Sequence, residues 1–256
     1  MSEIALQATG VKKVYTKNGR PLDILDVAHF SVREREFITV IGPSGCGKST
    51  FLHIMGGFIK AEAGSIRVYD KEVDGPGPDR GMMFQEFALF PWRTVAGNVA
   101  WGLEAQGIPK GRIEEVVLQQ LEMTGLTEFA HHYPAELSGG MKQRVALARV
   151  LAFDPKVLLM DEPFGALDAQ TRETMQEELT RLWERTHKTI VFVTHDIDEA
   201  VYLGDRVVVL TARPGRIREE VQIDLPRPRA LEVKKSIRCH EYRNYIWDLI
   251  RSESVK

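Results

Sequence analysis

A glycine-rich run at positions 42–50 has the residue types and the spacing to bind phosphate. It fits the pattern G-x-x-x-x-G-K-[ST], and it lies between a segment that predicts a strand and one that predicts a helix. Glycines let backbone amides converge on phosphate oxygens, and a helix N-terminus favours their negative charge. We expect Lys48 to reach the β- and γ-phosphates of a nucleotide and the Ser49 hydroxyl to bind Mg²⁺. The predicted phosphate-binding residues are Gly42, Pro43, Ser44, Gly45, Cys46, Gly47, Lys48, Ser49 and Thr50.

Two adjacent acids follow a second apolar run, Val157–Met160. At the end of a strand, Asp161 could hold Mg²⁺ beside Ser49, directly or through water. Glu162 faces differently and could polarise an attacking water. Two acids after a strand are often ordinary turn residues, but their combination with the phosphate loop favours a catalytic pair. The sequence contains no N-K-x-D motif, which argues against a guanine-specific GTPase.

A second glycine-containing string, LSGGMKQR at Leu137–Arg144, opens a predicted helix. Ser138 and the amides of Gly139 and Gly140 could form a second anion cradle at the start of that helix. Alone, the string would favour a serine cap on an ordinary helix. Because one nucleotide does not need two cradles, the second one suggests that two subunits share each nucleotide.

Short apolar runs alternate with helical patterns along the chain, which favours an α/β core with a mainly parallel sheet. The candidate strands are Phe37–Ile41, Gly81–Phe84, Val157–Met160, Thr189–Thr194 and Arg206–Leu210. The candidate helices are Ser49–Ile59, Lys142–Phe153, Ala169–Thr186 and Ile197–Leu203, with a mostly helical insertion at Thr94–Thr124. The charges of the segment after Pro226 are expected to form a solvated face.

The composition excludes several classes of protein. The 256 residues include 34 Lys and Arg against 36 Asp and Glu, a net charge of −2, whereas a general nucleic-acid binder needs a basic excess. No apolar run approaches the roughly 20 residues of a membrane span, and the first residues, MSEIALQATG, do not resemble a secretory signal. Two cysteines, Cys46 and Cys239, fit a reducing cytoplasm.

The string LSGGMKQR resembles the signature motif of the ATP-binding cassette (ABC) ATPases, and its place between the phosphate loop and the two acids matches that family. The resemblance covers about residues 4–225. It implies that Gln85 contacts Mg²⁺ and senses a transmembrane partner, and that His195 lies near the γ-phosphate. By the same resemblance, Asp168 in GALD belongs to the D-loop and Tyr15 stacks on adenine.

The resemblance also implies a domain organisation. We expect an α/β fold, a P-loop NTPase core with a mainly parallel sheet, an N-terminal antiparallel β subdomain and an inserted α-helical subdomain. The ABC ATPase domain would span 4–225, with the helical subdomain and its signature motif at about 86–150. Residues 226–256 would form a short C-terminal helical tail.

Several strings are similar to the importer ATPases for nitrate, sulfonate, taurine and bicarbonate. They are Pro76–Gly81, the run FQEFALFPW at 84–92, Thr94-Val, Asn98-Val, Met141 and LPRPR at 225–229. Lys142 stands where many relatives have Gln, on the helix beyond the second cradle, so we expect no loss of activity. Phe87 and Leu89 could equally be core residues, whereas Phe90, Pro91 and Trp92 are predicted to form a docking surface for a permease.

Together the resemblances imply the ATP-hydrolysing subunit of a bacterial importer, peripheral on the cytoplasmic face of the inner membrane, with ATP and Mg²⁺ as cofactors. The expected partners are a second copy of the chain, membrane permease subunits and, indirectly, an extracytoplasmic substrate-binding protein, but no nucleic acid. The catalytic residues would be Glu162, His195, Gln85 and Lys48, and the metal ligands Ser49, Gln85 and Asp161. The alternatives are an exporter or lipid-transport ATPase, and a soluble ABC ATPase without a transport role.

Overall fold

The computed structural model describes residues 3–17 and 19–252, which form two sheets and seven α-helices. The strands are β1 Ile4–Lys17, β2 Arg20–Arg33, β3 Phe37–Ile41, β4 Ala63–Val68, β5 Lys71–Glu72, β6 Arg80–Met83, β7 Val157–Asp161, β8 Thr189–Val193, β9 Arg206–Leu210 and β10 Ile217–Gln222. The helices are α1 Lys48–Met55, α2 Val95–Ala105, α3 Lys110–Met123, α4 Gly139–Leu151, α5 Ala169–Thr186, α6 Ile197–Leu203 and α7 Ile237–Arg251. No helix within these described residues is both long and apolar enough to cross a bilayer.

The central sheet has the strand order β10-β9-β3-β8-β7-β6, and all of its pairs are parallel except β10 with β9. Every residue of β3, β7, β8 and β9 is buried, as expected for strands that are covered on both faces. Alternate residues of β7 therefore enter two cores: Leu159 packs with α1, and Leu158 and Met160 pack with α4 and α5. The predicted α/β class with a mainly parallel sheet is confirmed.

The second sheet is antiparallel, with the order β2-β1-β4-β5. It packs its apolar face against α1, where the rings of Phe30 and Phe51 meet edge to face with centroids 5.3 Å apart. The phosphate loop continues directly into α1, so the packing of this sheet against α1 also supports the loop. The antiparallel N-terminal sheet that the family resemblance implies is present.

Helices α2, α3 and α4 enclose a core of their own. Helix α2 begins after Thr94, whose hydroxyl accepts a hydrogen bond from the Gly97 amide at 3.1 Å. These helices occupy the predicted helical insertion. Its boundaries near 86 and 150, and the division into 4–225 and 226–256, stay predictions, and residues 253–256 lie outside the described residues.

Two helices differ from the predicted bounds for local reasons. Helix α1 ends at Met55 rather than Ile59, because Gly57 adopts a left-handed conformation with φ of +78°. Helix α4 begins at Gly139 rather than Lys142, because the Ser138 hydroxyl accepts a hydrogen bond from the Met141 amide at 3.3 Å and caps the helix there.

The expected solvated face of the tail is wrong for Arg229, which is only 4% exposed. Its guanidinium donates to five backbone carbonyls, which belong to Val201, Tyr202, Gly204, Ile223 and Leu225. Burial, and then the nearby Arg227, lower the pKa of Arg229 to about 10. Arg229 therefore fastens the tail to the C-terminal end of α6, where unpaired helix carbonyls and the negative end of the helix dipole favour a cation.

Replacing this cation should destabilise the fold. We expect Arg229→Met to lower the free energy of unfolding by about 3 kcal/mol, because it leaves buried carbonyls without a donor. Urea denaturation followed by circular dichroism measures the change. Arg238→Met, at an exposed position of the same tail, is the control and should leave the midpoint unchanged. Equal midpoints for the two variants would contradict a fastening role for Arg229.

Candidate functional site

The phosphate loop, residues 42–47, connects the buried strand β3 to helix α1. Gly45 and Gly47 have φ of +73° and +98°, conformations that side chains strongly disfavour. A Cβ on Gly47 would also lie 2.8 Å from Leu25 Cδ2. The glycines are therefore needed for the loop to turn its backbone into the start of α1, where its amides can surround an anion.

Lys48, the first residue of α1, is only 6% exposed. Its Nζ donates to the carbonyl oxygens of Gly42 and Pro43 at 3.0 and 3.3 Å, so the ammonium lies inside the curve of the loop. A buried ammonium in an anion-binding loop is well placed to pair with phosphate oxygens.

Ser49 and Asp161 meet although they are 112 residues apart, because α1 packs against β7 and β8. The Ser49 hydroxyl donates to Asp161 Oδ1 at 2.9 Å. Burial is the largest influence on Asp161 and raises the pKa of its carboxyl, an effect that a bound cation would offset. A hydroxyl and a carboxylate at this distance are the hard oxygen donors that Mg²⁺ prefers, so the residues fit the predicted metal.

Glu162 and His195 form a second pair, with His195 Nδ1 2.9 Å from Glu162 Oε2. The parallel register pairs Asp161 with Val193, so the residues that follow β7 and β8 lie side by side at one edge of the sheet. Glu162 has φ of +42°, a strained conformation for a residue other than glycine, and its amide donates to the Val193 carbonyl at 2.9 Å. The two adjacent carboxylates therefore have different partners: Asp161 accepts from Ser49, and Glu162 contacts His195.

The second predicted cradle is exposed at Ser138 and Gly139, at the start of α4. Gly140 is buried, and a Cβ there would lie 2.8 Å from Thr171 Cγ2, so the glycine allows α4 to approach α5 closely. Within residues 3–17 and 19–252, the Ser138 hydroxyl bonds only to the Met141 amide, and no hydrogen bond connects it to the phosphate loop. The structure therefore does not unite the two cradles within one chain.

Asp168, Gln85 and Tyr15 lie on the surface, whereas Cys46 of the phosphate loop is buried. Asp168 caps α5 by accepting a hydrogen bond from the Thr171 amide at 3.0 Å, and the hydrogen bonds from Thr171 lower the pKa of its carboxyl. Gln85 is exposed in the loop that follows β6. Tyr15, near the end of β1, is exposed on one side, and Lys13 Nζ lies 5.2 Å from its ring centroid.

The sequence reasoning missed His53, whose Nε2 lies 3.4 Å from Asp161 Oδ2, close to the carboxylate but not hydrogen-bonded to it. The ring also meets Phe84 with centroids 5.8 Å apart, so it contacts the residue just before Gln85. The signal was its spacing: His53 follows Ser49 by four residues and therefore shares a helix face with it.

Arg213 was also missed. Its Nε donates to the carbonyl of Gly45 at 3.0 Å, so the turn after β9 braces the outer side of the phosphate loop. Arg213 is 168 residues from Gly45, and nothing in the local sequence pattern signals the contact.

An aromatic cluster, Phe90, Trp92 and Trp101, lies at the start of the helical insertion. The Phe90 ring centroid is 5.6 Å from that of Trp92 and 4.9 Å from that of Trp101. Trp92 is 72% exposed and Trp101 is 42% exposed, whereas Phe87 and Leu89 pack against the cores.

The buried Asn98 holds the backbone of this cluster in place. Its Oδ1 accepts from the Phe90 amide at 2.8 Å, and its Nδ2 lies 3.0–3.1 Å from the carbonyls of Phe90, Arg93 and Thr94. The exposed aromatic side chains therefore project from a fixed loop.

Comparisons with known proteins agree with this geometry. A family model described as "ABC transporter" matches residues 25–165, more than half of the chain. An uncharacterized ABC transporter ATP-binding protein of Methanocaldococcus jannaschii is 51% identical over 99% of this chain and 94% of its own length.

Two relatives have more specific names. The bicarbonate transport ATP-binding protein CmpD of Synechococcus elongatus is 46% identical over 94% of this chain and 88% of its own length. The nitrate import ATP-binding protein NrtD of Synechocystis sp. is 42% identical over 98% of this chain and 97% of its own.

Among solved structures, the dimeric ATP-binding cassette MJ0796 bound to ADP and Pi superposes with a TM-score of 0.74 at 32% identity, covering 86% of this chain and all of that one.

Lys48 should be essential for phosphate binding. We expect Lys48→Ala to weaken the binding of a nucleoside triphosphate at least about tenfold, because the buried phosphate charge loses a charge-assisted hydrogen bond. Equilibrium dialysis measures the affinity, and Lys60→Ala, at an exposed position beyond α1, is the control. An unchanged affinity of the Lys48 variant would contradict phosphate binding at this loop.

Proposed function

The chain belongs to the ABC transporter ATP-binding proteins, and we propose that it is the ATP-hydrolysing subunit of an importer for a small anion such as nitrate, bicarbonate, taurine or an alkanesulfonate. The observation that carries the hydrolytic part is the contact of Glu162 with His195, next to the contact of Ser49 with Asp161. These pairs unite a water-activating carboxylate, a metal-binding hydroxyl and a phosphate-binding loop at one edge of the sheet.

Lys48 and the backbone amides of the glycine-rich loop bind the phosphates of ATP in this proposal, and Tyr15 stacks on its adenine. Ser49, Asp161 and Gln85 hold Mg²⁺, for which the hydroxyl and carboxylate oxygens are suitable ligands. When bound, Mg²⁺ neutralises charge on the phosphoryl group that is transferred.

Glu162 acts as the base that accepts a proton from the attacking water. His195 keeps the carboxylate in position through its Nδ1, and the strained turn at Glu162 directs that carboxylate away from Asp161. Lys48 stabilises the negative charge on the leaving β-phosphate, which grows as its bond to the γ-phosphorus breaks. ADP and inorganic phosphate are then the products.

Two copies of the chain complete each site. The exposed Ser138–Gly140 cradle, which does not contact the phosphate loop of its own chain, binds the nucleotide held by the partner, with Asp168 at the same interface. The dimeric cassette MJ0796 with ADP and Pi, at 32% identity, supports a dimer that holds nucleotide.

The aromatic cluster of Phe90, Trp92 and Trp101 is the proposed docking surface for membrane permease subunits. Exposed aromatic side chains on a fixed backbone are typical of interface hot spots. Through these subunits the chain is peripheral at the cytoplasmic face of the inner membrane and works indirectly with an extracytoplasmic substrate-binding protein. The solved cassette cbiO1 of Clostridium perfringens, part of the ABC transporter complex cbiONQ, supports assembly into a transporter complex, with a TM-score of 0.78 at 26% identity.

Import of a small anion is favoured over export by the relatives named for bicarbonate transport and nitrate import. The strings at Pro76–Gly81 and 84–92 are similar to the same importer group. Measured uptake of labelled bicarbonate, nitrate and taurine by cells that carry or lack the chain tests the substrate class, and loss of export alone would contradict import.

Removing the proposed base should arrest the reaction after ATP binding. Glu162→Gln keeps the size of the side chain, so we expect it to bind ATP, to form a dimer on size exclusion in ATP, and to hydrolyse ATP at least about 100-fold more slowly. Asp154→Asn, at an exposed position before β7, is the control and should hydrolyse ATP at the wild-type rate. Normal hydrolysis by Glu162→Gln would exclude Glu162 as the base.

Truncating the exposed tryptophan of the cluster should weaken the permease complex. We expect Trp92→Ala to bind ATP normally but to lose about 2 kcal/mol of binding to co-expressed permease subunits, a loss typical of a hot spot. Pull-down titration measures the affinity, and uptake should fall more than basal ATPase activity. Trp247→Ala, at an exposed position of α7, is the matched control. Equal assembly of both variants would contradict the docking surface.

A further inference from the structure

Glu199 is a buried carboxylate on α6 that the proposed reaction does not use, and it is only 5% exposed. It accepts hydrogen bonds from the Thr194 hydroxyl and from Gln176 Nε2, the latter at 3.0 Å. Burial raises the pKa of its carboxyl, and these two hydrogen bonds oppose that effect. Burying an ionisable carboxyl group this deeply lowers the stability of the fold unless hydrogen-bond partners are held in place beside it. Thr194 and Gln176 must therefore keep specific positions around Glu199.

The chain of hydrogen bonds continues from Gln176 to the C-terminal segment. Gln176 is itself buried on α5, and its Oε1 accepts from Lys234 Nζ at 2.6 Å. Because an ammonium carries only donors, the amide must present its oxygen to Lys234 and its nitrogen to Glu199. The direction of every hydrogen bond from Lys234 to Glu199 is therefore determined.

At its other end the chain reaches the turn that carries His195. The Thr194 hydroxyl has one proton, which it donates to Glu199, and its oxygen accepts from the Asp196 amide at 3.0 Å. Asp196 Oδ1 in turn accepts from the Glu199 amide at 3.1 Å. The residues on both sides of His195 are thus tied to Glu199, while the His195 ring contacts Glu162.

We propose that Lys234, Gln176 and Glu199 are positioning residues, which form a buried hydrogen-bonded chain from the C-terminal segment 231–235 to the His195 turn and hold His195 in its contact with Glu162. The inference rests on the proposed ATP hydrolysis for its catalytic consequence. It gives segment 231–235 an influence on the reaction through Gln176 and Glu199.

The charges around this chain favour such a role. Lys234 supplies the cation at the outer end and Glu199 the anion at the inner end, with the neutral amide of Gln176 between them. Arg172 and Asp196 are the other charged groups that act on Glu199, with opposite effects on its ionisation. Replacing buried ionic groups by apolar side chains of similar volume often costs a fold no stability, so stability alone does not account for these directed hydrogen bonds, and positioning does.

The first test removes the outer donor. We expect Lys234→Met to lower the kcat for ATP about tenfold and to leave the KM within twofold, because the phosphate-binding residues are untouched while a partner behind a functional side chain is lost. Amide exchange followed by mass spectrometry should become faster in the peptide that spans 194–199. Lys235→Met, at the exposed neighbouring position, is the matched control and should change neither readout.

The second test reverses the direction of the chain. In Glu199→Gln, the new amide can turn in two ways. If its nitrogen faces Gln176, two donors face each other, unless Gln176 also turns and directs its own nitrogen at Lys234. If its nitrogen faces Thr194, the Thr194 hydroxyl loses its acceptor. In Lys234→Glu, the Gln176 amide lies between two acceptors. In the double variant, Gln176 can turn over, accept from the new amide at 199 and donate to the new carboxylate at 234, so every hydrogen bond is restored.

We therefore expect both single variants to have a lower kcat and faster amide exchange in the peptide 194–199. The double variant should recover the wild-type kcat and the wild-type exchange rate. Lys234 Nζ also lies 4.7 Å from the Tyr202 ring centroid, so the loss of this cation–π contact could by itself lower kcat. The double variant lacks the cation, and recovery of its kcat would show that the hydrogen bonds, rather than the contact with Tyr202, are responsible. A double variant as impaired as the singles, or a Lys234→Met equal to Lys235→Met, would overturn the inference. Absence of ATP hydrolysis by the unmodified protein would instead contradict the proposed function. The exchange measurement would still test the hydrogen bonds from Lys234 to Glu199.

Discussion

Parallel pairing of β3, β8, β7 and β6 is the constraint on which the candidate site depends. Because all four strands end at the same edge, the loops that follow them meet there, although the chain visits them far apart in sequence. Lys48 follows β3, Gln85 follows β6, Glu162 follows β7 and His195 follows β8. A shift of β7 against β8 by one residue would turn Asp161 from the edge into a covered face, and would separate the proposed metal-binding and water-activating groups.

The strands that maintain this register are stabilised by burial on both faces, so polar contacts are concentrated at their ends. Arg206, at the start of β9, forms ion pairs with Glu36 and Glu220 at 2.9 and 2.5 Å. Arg229 binds the carbonyls at the end of α6, opposite the His195 turn. Arg229 thereby joins the tail to α6, the helix that begins beside the proposed catalytic pair.

Features that depend on a few consecutive residues could be predicted from the sequence, including the phosphate loop and the acids after β7. The central sheet followed from apolar runs, whereas the antiparallel sheet required the family resemblance, since long, half-exposed strands such as Ile4–Lys17 carry a weak pattern. The contacts of Arg213 with Gly45 and of Lys234 with Gln176 could not be predicted, because they join residues 168 and 58 positions apart. Folding alone brings those partners together.

The hydrogen bonds of Asn98 have a thermodynamic consequence for the loop they hold. A flexible loop loses conformational entropy when a partner orders it, and that loss reduces the affinity of the complex. Here the backbone at Phe90, Arg93 and Thr94 is already fixed from inside the domain. Association at Trp92 should therefore proceed as a rigid-body encounter, with little reorganisation of the backbone and with a heat-capacity change dominated by the apolar surface that the aromatic rings bury.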